Sequence, residues 1–226
     1  MKDRPEIEAV FWDFGGVITS SPFERFNQLE IQLELPKDFI RTVNAHNPDS
    51  NAWARLERNE IEVEEFDRQF REESRGMGHE VPGDRVIAAL SGTLRPMMVE
   101  ALKRIKGRLV LGCLTNNMLT TSDGEWVDNT PEDVRMVMEI FDFVQSSSLE
   151  GVRKPEPLFY EKALARSGIK SPSKVVFLDD LGINLKPARA MGMHTIKVSD
   201  PVVALRELQS LIDLPLIQSD SDSSRG

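Results

Sequence analysis

The chain holds one cysteine, Cys113, one tyrosine and three histidines among its 226 residues. A lone thiol closes no disulfide within the chain and excludes every zinc site built on two thiolates. His46, His79 and His194 are scattered without ligand spacing, so a surface or sheet-edge position is expected for each. Long apolar runs are missing too: Leu109 to Leu114 falls far short of the ~20 residues of a membrane span. Residues Met1 to Glu6 carry charge and no apolar stretch, so no secretory leader is read there and a cytoplasmic location is expected. Positive charge is scarce, with 28 Lys and Arg against 37 Asp and Glu, a net charge of −9. Such a surface repels phosphodiester backbones and anionic lipids, so neither nucleic acid nor membrane is an expected partner. Arginines between Arg25 and Arg75 interleave with acids and read as a solvated helix surface. No P-loop, no dinucleotide-binding glycine turn and no serine-nucleophile elbow is present.

What is present suits a folded protein. Hydrophobic residues make up 40% and charged residues 29%, enough to bury a real core. Ala9 to Trp12, Leu109 to Leu114 and Val175 to Leu178 are continuous apolar runs, the mark of strands covered on both faces. Phe141 to Val144 and Thr195 to Val198 are shorter strand candidates. A helix is expected from Pro157, and another over Leu185 to Met191 with Gly192 as its stop. Between the first strand and about Arg95, apolar residues such as Phe23, Phe26, Leu29 and Leu33 recur at helical spacing, as do Ile61, Phe66 and Phe70. The reading is an α/β fold, a doubly wound parallel Rossmann-like sheet with an inserted all-helical module. Residues 1–17 and 96–217 form the core domain, 18–95 the insert, and 218–226 a polar tail expected to be disordered. Cys113 is expected to pack in its strand, and Met136 and Met138 to fill a helix interface.

Three buried strands end in polar residues: Asp13, then Thr115-Asn116-Asn117, then Asp179-Asp180. In an open α/β sheet, ligands bind beyond the carboxyl ends of the strands. Carboxylates brought together there repel unless a cation sits among them. An all-oxygen donor set suits Mg²⁺, which takes one or two carboxylates and leaves room for a phosphate. A carboxylate can then attack phosphorus, provided donors and a fixed cation meet the phosphoryl oxygens. Thr115 and the backbone after it offer donors, and Lys154 offers the cation.

These residues resemble the haloacid dehalogenase-like hydrolase superfamily, whose four motifs occur in order as Asp13-Phe14-Gly15-Gly16-Val17, Leu114-Thr115-Asn116, Lys154-Pro155 and Leu178-Asp179-Asp180. The stretch from Val175 to Arg189 is similar to the N-terminal phosphatase domain of soluble epoxide hydrolases and to the related domain fused to some acyl-CoA dehydrogenases. The resemblance implies an aspartyl-phosphate on Asp13. It implies Mg²⁺ held by Asp13, the Gly15 carbonyl and Asp180, with Asp179 beside it. It further implies that Thr115, Asn116 and Asn117 bind the substrate phosphate, that Lys154 bridges nucleophile and phosphate, and that the insert is a cap selecting small phosphorylated substrates. Oligomeric state is left open.

One position departs from the pattern. Family phosphatases carry a second aspartate two residues after the nucleophile, as acid and then base, where this chain has Gly15. Glycine keeps the backbone carbonyl and permits positive φ there. Three outcomes fit: a phosphatase for esters with good leaving groups or with another acid, Asp123, Glu125 and Asp128 being weighed against a solvated acidic loop; a 2-haloacid dehalogenase; or a catalytically weak ligand- or partner-binding protein.

Overall fold

The computed structural model describes residues 5–90, 92–116 and 130–217. Asn117, Asp123, Glu125, Asp128 and the polar tail lie outside the described residues. Among those described, five strands form one parallel sheet: β1 (Ala9–Trp12), β2 (Val110–Thr115), β3 (Phe143–Ser146), β4 (Val175–Asp179) and β5 (His194–Lys197). Their spatial order is β3-β2-β1-β4-β5. The chain steps outward from β1 to β2 and β3, then returns to place β4 on the other side of β1. That reversal sets the switch point of the sheet between β1 and β4, where a crevice opens beyond the strand ends.

Side chains alternate across the sheet. Val10, Trp12, Leu111, Cys113, Val176 and Leu178 are buried on one face, Ala9, Phe11, Leu114, Val175 and Phe177 on the other. With both faces covered, β1 has no polar position, which is why its limits match the apolar run in the sequence. Cys113 is buried in β2 as expected, and burial pushes its thiol pKa up.

Among the described residues, five helices lie between β1 and the last stretch before β2: α1 (Pro22–Gln32), α2 (Phe39–Ala45), α3 (Ala52–Glu57), α4 (Val63–Gly76) and α5 (Gly83–Ala88). Proline opens α1, and the Ser21 hydroxyl accepts from the Phe23 N–H, so that end is capped. Asn51 caps α3 by accepting from the Ala54 N–H at 2.8 Å. Phe26, Ile40, Val43, Leu56, Phe66 and Phe70 make a hydrophobic cluster of their own. Two acids inside this unit do structural work. Glu30 accepts from the Asp38 and Ile40 N–H groups at 2.8 and 2.9 Å, and Glu73 accepts from the Ala52 N–H at 2.8 Å.

The unit joins the sheet through paired segments. Thr19 and Leu94 form an antiparallel bridge, the Ser20 N–H donates to the Thr93 carbonyl at 2.8 Å, and the Arg95 N–H donates to the Ile18 carbonyl at 2.8 Å. The chain continues through α6 (Pro96–Ile105) to β2, then α7 (Glu132–Met138), β3, α8 (Ser147–Glu150), α9 (Pro157–Ser167), β4, α10 (Gly182–Ala190), β5 and α11 (Pro201–Ile212). Helices α6, α7 and α11 cover one sheet face, and α9 and α10 the other.

Two expectations need correction. Strand β3 begins at Phe143 rather than Phe141, because the Asp142 carboxylate turns back to accept from the Leu111 N–H at 2.8 Å. Met138 is buried but Met136 is 63% exposed, so only one of the pair fills an interface. Among the described residues, no helix is long and apolar enough to cross a membrane.

Candidate active site

The parallel register pairs Trp12 with Leu178, so the next residues, Asp13 and Asp179, leave the sheet side by side at the switch point. The Asp13 N–H is held by the Leu178 carbonyl at 2.8 Å. Its Oδ1 accepts from the Phe14 N–H at 2.7 Å and lies 2.9 Å from Lys154 Nζ. The same ammonium donates to Asp179 Oδ2 at 2.8 Å. Lys154, only 1% exposed, therefore bridges two buried carboxylates. Burial works against its charge, but Asp13 and Asp179 outweigh burial and hold its pKa well above the ordinary lysine range.

Asp179 is also bound by the Leu181 N–H at 2.8 Å and by Asn184 Nδ2, 3.1 Å from both carboxylate oxygens. The Asn184 carbonyl in turn accepts from Tyr160 Oη at 2.7 Å, which fixes that turn to α9. Asp179 thus sits behind the crevice, while Asp13, Gly15 and Asp180 line it.

The tight turn after β1 depends on the second of two glycines. Gly16 takes the left-handed conformation there, at φ +76°. A Cβ on Gly16 would lie 2.3 Å from Asp180 Oδ2. Only glycine lets this backbone meet the carboxylate so closely. Gly16→Ala is expected to force Asp180 aside. The left-handed backbone alone costs about 1–2 kcal/mol for a residue with a Cβ, a loss that urea unfolding would read.

One oxygen from each of Asp13, Asp179 and Asp180 lies within 4.8 Å of the other two. Burial first, then Asp179 and Asp180, push the Asp13 pKa up against the pull of Lys154. Burial and Asp179 likewise push Asp180 up to about 6. One lysine does not neutralise three carboxylates, and the donor set is all oxygen, so these residues fit a hard divalent cation such as Mg²⁺.

Thr115 is fully buried at the end of β2. The Asn116 side chain is taken up by the Lys154 loop: its Oδ1 accepts from the Lys154 N–H at 2.9 Å, and its Nδ2 donates to the Lys154 carbonyl at 3.0 Å. That clasp aims Lys154 at Asp13. Asn117 lies outside the described residues.

The crevice widens into a cavity of about 620 Å³ between the sheet ends and the helical unit, within the size range of small-molecule sites. Phe23, Phe26, Trp53, Leu90 and Ile183 give it an apolar wall. Trp53 and Arg58 also line it. So does Glu57, the last residue of α3, which sequence reasoning missed. Its Oε1 accepts from Trp53 Nε1 at 2.9 Å, its Oε2 from Asn116 Nδ2 at 3.3 Å, and Arg153 Nε lies 2.7 Å from Oε2. The spacing from Trp53 to Glu57 places both on one helix face, but no pattern in the sequence marks that face as roofed by a loop almost a hundred positions on.

The chain is similar to known proteins over most of its length. The model of the haloacid dehalogenase-like hydrolase family matches residues 7–192. Acyl-CoA dehydrogenase family member 10 of Mus musculus is 35% identical over 92% of this chain, which corresponds to 19% of that protein. Bifunctional epoxide hydrolase 2 of Mus musculus is 32% identical over 95% of this chain and 42% of its own length. The chain thus spans less than half of either. A sesquiterpene phosphatase, astK, of Aspergillus oryzae is 28% identical, covering 91% of this chain and 96% of the relative. Two solved structures share the fold. A haloacid dehalogenase family enzyme of Bacteroides thetaiotaomicron in complex with magnesium and inorganic phosphate has a TM-score of 0.57 at 21% identity, covering 84% of this chain and 93% of its own. A dehalogenase with an intermediate complex has a TM-score of 0.65 at 16% identity, covering 92% and 97%. By its parallel sheet, its ordered motifs and the match over most of its length, the chain belongs to the haloacid dehalogenase-like hydrolases.

Proposed function

We propose that this hydrolase is a Mg²⁺-dependent phosphatase that cleaves phosphate monoesters of small molecules through an aspartyl-phosphate on Asp13. The observation that carries the reading is the Asp13 carboxylate, lined up with Lys154 at 2.9 Å and within ligand reach of Asp180 in the lining of the cavity. Asp13, the Gly15 carbonyl and Asp180 would hold the ion, which supplies positive charge against the phosphoryl oxygens.

The chain's own groups do the rest. Phe14 N–H and Lys154 fix Asp13 through Oδ1, and Oδ2 is the oxygen assigned to attack. The Asp13–phosphorus bond forms as the ester oxygen leaves, and water then cleaves the acyl phosphate to return the carboxylate. Thr115, with the backbone after it, donates to the phosphoryl oxygens, and Asn116 keeps Lys154 on target. Asn117, next along the chain, is proposed to add to the phosphate site. Aromatic residues along the wall favour a leaving alcohol with a substantial apolar part, in keeping with the sesquiterpene phosphatase among the relatives. The helical unit, residues 18–95, acts as the cap that keeps water from the site between substrates.

The test is a panel of alkyl and aryl phosphates assayed with Mg²⁺ and with EDTA, beside a 2-haloacid. Phosphate release that stops on chelation is expected. Halide release insensitive to EDTA would replace the reading with a dehalogenase, and turnover of neither would leave a binding protein.

A further inference from the structure

An in-line displacement puts the leaving oxygen on the side of phosphorus remote from the nucleophile. Asp13 is fixed to the sheet, so that oxygen faces the helical unit. An alkoxide is a poor leaving group and needs a proton as the bond breaks. The turn beside Asp13 supplies none, since its next polar opportunities are Gly15 and Gly16, and Lys154 is committed to Asp13 and Asp179.

Among the described residues, four other acids line the cavity. Asp180 belongs to the carboxylate cluster, Asp49 is exposed, and Glu156 is 41% exposed and lies 3.7 Å from Arg58 Nη1. Glu57 differs from these. Its side chain is 12% exposed, it projects from the helical unit, and Asn116 ties it directly to the loop that carries Lys154.

We propose that Glu57 is the general acid that protonates the leaving oxygen and, once ionised, the base that takes a proton from the attacking water. The inference rests on the phosphatase reading above. The balance closes: in the first step the ester P–O bond breaks, the Asp13–P bond forms and the Glu57 proton goes to the alcohol. In the second, water adds to phosphorus, its proton returns to Glu57, and Asp13 leaves as the carboxylate with inorganic phosphate.

Electrostatics support the assignment. Burial pushes the Glu57 pKa up, against Arg153, the Trp53 N–H, Lys154 and Arg58, to about 7. The charged groups facing it are Arg153, Lys154 and Arg58, with Glu156 beyond Arg58. A group at that pKa can both give and take a proton near neutrality.

The experiment compares 4-nitrophenyl phosphate, whose leaving group needs no proton, with n-octyl phosphate, whose leaving group does. Because kcat/KM covers only the steps up to release of the alcohol, it isolates the acid role. For Glu57→Gln, octyl phosphate is expected to lose about 10²–10³ in kcat/KM and 4-nitrophenyl phosphate less than about fivefold. Wild-type kcat/KM on octyl phosphate should fall above about pH 7, as the acid ionises, and the variant should lack that limb. Equal losses on both esters with the alkaline limb intact would overturn the proposal. The wild-type comparison needs no variant: octyl phosphate turned over without an alkaline limb, or aryl ester turned over alone, also overturns it. A wild type that releases phosphate from neither ester fails the phosphatase reading itself.

Discussion

Asp13→Asn is expected to lower phosphate release by about 10⁴–10⁶, the range seen when a covalent nucleophile is removed, while the protein stays folded. The amide nitrogen cannot attack phosphorus, yet it keeps the shape of the side chain at the end of β1. The energetic side of this prediction is as informative as the kinetic one. Burial, Asp179 and Asp180 together disfavour the Asp13 carboxylate more than Lys154 favours it. A neutral isostere therefore relieves repulsion, and Lys154 keeps Asp179 as partner at 2.8 Å. In metal-free protein the variant should melt no lower than wild type by calorimetry. A site built for chemistry commonly gives up stability in this way. A variant that retains turnover would exclude Asp13 as nucleophile, and one that unfolds would make it a structural residue.

Lys154→Met is expected to destabilise the fold strongly and to remove activity as well. The ammonium is buried between Asp13 and Asp179, at 2.9 and 2.8 Å. Removing one partner of such a group leaves buried charge uncompensated, a loss of about 3–5 kcal/mol. For a chain of this length that lowers Tm by roughly 10 °C, at about 2–4 °C per kcal/mol. Lys154→Arg should not rescue it, because a planar guanidinium does not fit a position 1% exposed and cannot replace a compact point charge. Calorimetry on both variants checks the order. Two variants as stable as wild type would show that the bridge carries no net stability.

Much of the sheet could be read from the sequence because both of its faces are covered. The runs at Ala9 and Val175 have no polar interruption, and the strands found there begin at those residues. Pro157 likewise opened its helix as read, since proline at the first turn sets the backbone and spends no donor. The candidate site was legible to the extent that it lies at strand ends, where Asp13, Thr115, Asp179 and Asp180 mark the step from apolar run to polar residue.

What escaped the sequence depends on contacts across long stretches of chain. Glu57 sits among Arg55, Arg58 and Glu60 and looks like a solvated helix residue. Arg153 and Asn116, brought against it by the fold, help to bury it. Asn116 offered itself as a phosphate ligand, but its amide is spent on the main chain of Lys154, 38 residues away. A Gly-Gly pair announces a turn without saying which glycine is left-handed. What the sequence hides as well is that the Asp180 carboxylate occupies the space a Cβ on Gly16 would need.

The bridge between Thr19 and Leu94 has a consequence for how such a chain can change over generations. Ser20 and Thr93 are already hydrogen-bonded neighbours, so excising everything between them leaves two ends that a short hairpin could rejoin without moving a strand. The helices thus enter and leave through one paired junction, so a change in their length or shape need not alter the register of the sheet beneath.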